Sequence, residues 1–94
     1  MFIQMSILRP KSEYDAEVVA SMHRFQDALK GAVGMIGAHT MRDSVSGSLV
    51  GVVFWASEAC MKENSEPALS AIENDPFDEW LTEPIANFRL EDAS

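Results

Sequence analysis

Residues 48–56, SLVGVVFWA, decide how this chain folds. In an extended segment successive side chains point to opposite faces. Val50, Val52 and Phe54 therefore share one side, and Leu49, Gly51, Val53 and Trp55 share the other. Both sides are apolar. An antiparallel strand with one face in water alternates apolar and polar residues, and this one does not. Something must cover both of its faces.

Working outward, residues 43–47, DSVSG, form a hairpin loop, and residues 35–42, MIGAHTMR, read as the strand that precedes it. Upstream of that, Val18, Met22, Phe25 and Leu29 recur at helical spacing. Ser12 to Asp15 resembles a capping box at the start of this helix, and Lys30-Gly31 marks its end. The chain opens with another strand, residues 2–8, FIQMSIL, stopped by Pro10. On it Ile3, Met5 and Ile7 make a purely apolar face, while Gln4 and Ser6 lie between Phe2 and Leu8 on the other.

Downstream, Ser57 caps a second helical region with Ala59, Cys60 and Met61 as apolar positions. Pro67 divides it into two short pieces, and Pro76 opens a further turn. A last strand, residues 84–90, PIANFRL, sets Ala86, Phe88 and Leu90 against Ile85, Asn87 and Arg89.

The order is β-α-β-β-α-β. That is the α+β, ferredoxin-like arrangement: one domain over residues 1–94 with a four-stranded antiparallel sheet and its helices on one face. The uncovered face is expected to carry Phe2, Leu49, Val53 and Trp55, more apolar surface than a monomer tolerates. A homodimer through the sheet face would cover it.

Composition supports that reading and excludes others. A 94-residue chain with 47% hydrophobic residues has much apolar surface to place and a small domain to place it in. The net charge of −8 argues against a nucleic-acid backbone as partner. Eight of the 15 acids fall between Glu58 and Glu83, which reads as a solvated face, with a basic protein partner as the alternative. Cys60 is the single cysteine, so no disulfide forms within the chain and no cysteine cluster holds a metal. With no leader and no apolar span long enough for a membrane, the expected compartment is the cytoplasm.

The residues that could carry chemistry are few. Gln4 and Ser6 are costly in a dry core unless hydrogen-bonded, so they point to a cavity holding water or ligand. Trp55, on the same sheet, is expected to wall that cavity. His39 lies mid-strand, and imidazole changes charge near neutral pH, which makes it the candidate general base. Each also has a plainer reading as a packed or hydrogen-bonded structural residue. Asn87 and Arg89 share a strand face that could orient an acidic ligand. His23 reads as a boundary residue and Cys60 as a small buried hydrophobe.

Phe54-Trp55-Ala56-Ser57-Glu58-Ala59, a strand ending in an aromatic and Trp followed by a Ser-led acidic helix start, resembles the dimeric α+β barrel superfamily. Within it, the residues resemble the antibiotic biosynthesis monooxygenase-like group. The short first strand and the Gly-rich entry over residues 31–37 fit as well. The resemblance implies an internal pocket and oxygenation of a small phenolic or polycyclic compound by O2 without metal or flavin, so no cofactor. On such chemistry His39 would take a proton from the substrate, while Gln4, Ser6 and Trp55 would line the pocket around a small aromatic ligand. A related branch opens haem with a first-strand Asn, the Trp and a second-helix His. This chain has Ser6 at the first of these positions and Glu63 or Asn64 at the last, which disfavours that reaction. Alternatives on the same fold are a non-catalytic ligand-binding or stress-associated dimer and an interaction scaffold.

Overall fold

The structure of the protein, a computed structural model, describes residues 1–93. Strand β1 (Phe2–Leu8) leads through a single 3-10 turn (Ser12–Tyr14) into helix α1 (Asp15–Ala28). Strands β2 (Met35–Arg42) and β3 (Leu49–Trp55) form the hairpin. Helices α2 (Glu58–Asn64), α3 (Glu66–Ile72) and α4 (Phe77–Trp80) then return the chain to β4 (Ala86–Glu91). The sheet is antiparallel in the order β2-β3-β1-β4. The expected α+β, ferredoxin-like architecture is present: β3 lies between β1 and β2, which α1 connects.

Local chemistry sets most boundaries. Ser57 Oγ accepts from the Cys60 N–H at 3.2 Å, capping α2, and Pro67 opens α3, where its missing N–H costs nothing. The capping box expected at Ser12 is absent. The 3-10 turn occupies those residues, and α1 starts without a side-chain cap. After α1 the chain turns through Gly31 and Gly34 at φ +81° and +82°. Gly34 is needed twice over, because a Cβ there would lie 2.7 Å from the Cys60 Cβ, inside contact distance.

The expected assignment of faces was inverted. Phe2, Leu49, Val53 and Trp55 are all buried, none more than 4% exposed, beneath the helices. They belong to two apolar clusters. Trp55, Phe2, Val53, Leu29, Met61 and Ala68 form one, and Leu8, Val18, Met22, Leu49 and Leu81 form the other. The face turned away from the helices carries the opposite set: Ile3, Met5 and Ile7 on β1, Val50, Val52 and Phe54 on β3, and Ala86, Phe88 and Leu90 on β4. On β2 its positions are Gly37, His39 and Met41. Helices need polar surface on one side only. A purely apolar strand face was therefore ambiguous, since it suits either a helix layer or another sheet.

Candidate functional site

Between the sheet and the helices lies a cavity of about 230 Å³. Its walls are mainly apolar, with Met22 and Phe25 from α1, Leu69 and Ile72 from α3, and Phe77 from α4. Gly51 forms part of its floor, where a side chain would press on the Met22 methyl group 3.2 Å from a Cβ. The polar side chains on its walls are carried by the sheet and by α1.

Those polar groups are tied down in pairs. Gln26 donates to the Ala38 carbonyl at 2.7 Å and accepts from the Thr40 hydroxyl at 2.6 Å, which fastens α1 to β2. Ser21 donates to Asp75 at 2.6 Å, and Arg24 pairs with the same carboxylate oxygen. Ser6 donates to Asn87 Oδ1 at 2.8 Å across the β1–β4 pair. The indole N–H of Trp55 donates to Gln4 Oε1 at 3.1 Å. An indole nitrogen can only donate, so the Gln4 oxygen must face it and the amide nitrogen must face away. The structure shows no protein acceptor for Gln4 Nε2 or Asn87 Nδ2 among the described residues, and no buried side-chain nitrogen or oxygen is left unpaired. Both NH2 groups therefore retain access to the cavity or the solvent. Asn87 is exposed on β4, the strand least covered by helices, which makes this the wet side of the site.

Gln4 and Ser6 thus lie where polarity within an apolar strand pointed. Trp55 does not line the cavity. It is fully buried behind Gln4 and reaches the site only through that hydrogen bond. His39 is not brought to them. Its neighbours Ala38 and Thr40 engage Gln26 on the helix side, so alternation turns the imidazole to the open face. There it is exposed and packs edge-on to Phe54 with ring centroids 6.1 Å apart. Strand backbone is all that His39 can contribute to the cavity wall. Sequence reasoning missed Gln26 and Thr40. A Gln at the margin of a helix stripe gives no signal of its own until the register places a Thr beneath it.

The cavity walls carry no Asp, Glu, Lys, Arg, Cys or Tyr side chain. The groups whose titration is displaced lie elsewhere. Tyr14 is raised by the nearby Glu79 carboxylate, Arg42 is raised by its hydrogen bond to Asp15, and Asp43 is lowered by the Ser46 hydroxyl. No group of three His, Cys, Asp or Glu residues is placed to hold a metal among the described residues. None of their helices is long and apolar enough to cross a membrane.

Solved structures share this architecture from end to end. A crystal structure of an antibiotic biosynthesis monooxygenase superposes with a TM-score of 0.78 at 10% identity, covering 100% of both chains. The chain has the antibiotic biosynthesis monooxygenase fold. Rv0793 from Mycobacterium tuberculosis superposes with a TM-score of 0.82 at 17% identity, over 99% of this chain and 95% of that one. A Nitrosomonas europaea protein provisionally named as an antibiotic biosynthesis monooxygenase gives 0.75 at 7% identity, again with both chains covered in full. No protein-family model matches the sequence, and no curated protein does. At these identities the likeness carries the fold, and the site must be read from this chain's own residues.

Proposed function

We propose that this chain is a cofactor-independent oxygenase of a small phenolic compound, working as a cytoplasmic homodimer. The observation that carries the reading is the cavity itself, with apolar walls and two free amide NH2 groups at one side. Its size sets the ligand. An apolar cavity of about 150 Å³ accepts benzene, so this one suits one or two rings rather than an extended polycycle. Gln4 and Asn87 would hold the ligand oxygen, with Ser6 and Trp55 fixing the two amides. A phenol that takes up one O2 and releases one water becomes a quinone, so this reaction needs no outside reductant. The fold neighbours that bear the monooxygenase name support this choice over a scaffold role.

The dimer rests on the open sheet face. Four strands about 4.8 Å apart and some 20 Å long present roughly 400 Å² before side-chain relief is counted. That is the size of the largest patch on a typical soluble protein, which is often functional. His39 is the one ionisable side chain among its twelve positions, so the face matches another like itself. Two sheets would stack about 10 Å apart around a two-fold axis.

Oxygen-electrode measurements with one-ring and two-ring phenols, beside native mass spectrometry of protein from its own host, test the reading. Oxygen uptake that depends on the protein and is reduced by Gln4→Leu supports it. Binding without oxygen consumption would leave a carrier, and a monomer of 10.4 kDa with no ligand and no uptake would remove it altogether.

A further inference from the structure

We propose that the cavity takes its ligand as an anion, with the oxygen already ionised in solution, and that Arg89 is the residue that selects for the charge. This rests on the pocket reading above and adds to it the charge state of what is bound.

The first support is what the walls lack. Removing a proton from a phenol requires a base within hydrogen-bond reach, and among the residues that line the cavity only His39 is of a type to act as one. Asp75, the carboxylate bonded to the wall residue Ser21, is occupied by Ser21 and Arg24. His39, which could have served, has its ring on the other side of the sheet. A neutral phenol would enter and leave unchanged.

The second is what the site offers. Gln4 Nε2 and Asn87 Nδ2 are donors, and the oxygen of each amide already accepts one hydrogen bond, from Trp55 and Ser6 respectively, which turns the NH2 ends outward. A hydroxyl oxygen could accept from both but would still have its own proton to place, whereas a phenolate oxygen accepts from both in stronger, charge-assisted bonds and has nothing to donate.

The third is an unused cation. Arg9, Arg24 and Arg42 each pair with a carboxylate, as expected in a chain with 15 acids and seven bases. Arg89 pairs with none among the described residues, although Glu91 stands two positions along the same strand face. Its Cα is the register partner of Gln4, and it shares the helix-side face of β4 with Asn87. Directly opposed residues lie about 5 Å apart and strand neighbours on one face about 7 Å, both within reach of an arginine side chain. Arg89 does not itself line the cavity, but from this strand position its side chain can reach the two amides at the wet side.

The probe is 4-nitrophenol, whose phenolate absorbs in the visible and whose acidity brings ionisation close to neutral pH. Its methyl ether, 4-nitroanisole, is larger by one methyl group and cannot ionise. Difference spectra and calorimetry across the titration of the free probe should show the phenolate as the bound species. The ether should bind more weakly by about ten- to a hundred-fold, the usual worth of hydrogen bonds to a charged group. Affinity should fall as pH drops below the probe's own ionisation. Arg89→Gln, at an exposed position where melting should be unchanged, should lower phenolate affinity about ten-fold and leave the ether unaffected. Equal binding of phenolate and ether, or an Arg89→Gln variant that loses both equally, overturns the anion proposal and leaves the pocket standing. If neither probe binds, the pocket reading itself fails.

Discussion

Replacing Val52 with Asp places a carboxylate at the centre of the open sheet face, between Met5 on β1 and His39 on β2. In an isolated subunit that position is only half-buried, so the cost is the loss of β propensity, about 1 kcal/mol. In a two-fold dimer the same change buries two carboxylates. At about 3–5 kcal/mol for each uncompensated charge, the interface would lose some 6–10 kcal/mol. With each 1.4 kcal/mol worth roughly ten-fold, dissociation should strengthen by at least four orders of magnitude. Val53→Asp is the matched control. Val53 is 4% exposed beneath the helices, so its carboxylate would be stranded in the core and most of a small domain's 5–15 kcal/mol of stability would be at risk. Sedimentation velocity at low micromolar concentration, with a thermal melt by circular dichroism, reads both. Val52→Asp should be a folded monomer and Val53→Asp a poorly folded chain. A Val52→Asp protein that stays dimeric, or a Val53→Asp protein that melts like the parent, would refute the assignment of faces.

Gly34→Ala should destabilise far more than Gly31→Ala. Both positions have positive φ, worth about 1–2 kcal/mol to a side chain, but only Gly34 also meets Cys60, adding about 1–3 kcal/mol of overpacking; equal melting temperatures would contradict this. Because Asp43 is lowered by Ser46 and Val45, its contribution to the hairpin is complete above the ordinary carboxylate range and is lost as pH falls through the lowered value. Amide exchange at Ser46 should therefore quicken only in strong acid, and Ser46→Ala should move that onset to higher pH.

The element order was legible because its signals are local. The Gly and Pro stops, the period of α1 and the two-sided apolar strand each speak for themselves, and together they leave one arrangement of βαββαβ. Which side of β3 faced the helices was not legible, because Val50, Val52 and Phe54 are as apolar as Leu49, Val53 and Trp55. The deciding evidence lay on another strand: Gln4 and Ser6 need partners, and the partners they found, Trp55 and Asn87, are on the helix side. That one fact also fixes His39. It sits out of phase with Thr40, and Thr40 is claimed by Gln26 on α1. A strand residue's role thus depended on a helix residue 13 positions earlier, which no local pattern encodes.

The division of the core into two clusters has a consequence for how long the protein lasts. The cavity borders both clusters, touching Val53 of one and Leu8 and Met22 of the other. A ring compound lodged there would join them into a single hydrophobic unit. Without one, the two half-cores are bridged by α1 and the sheet, and α3 and α4, which wall the cavity, would be expected to open ahead of the rest. Ligand that binds only the closed form shifts this balance by mass action. Limited proteolysis should then cut the empty form first, within residues 66–80. In a cell, where brief openings feed proteases, the amount of this protein would follow the supply of the molecule it holds.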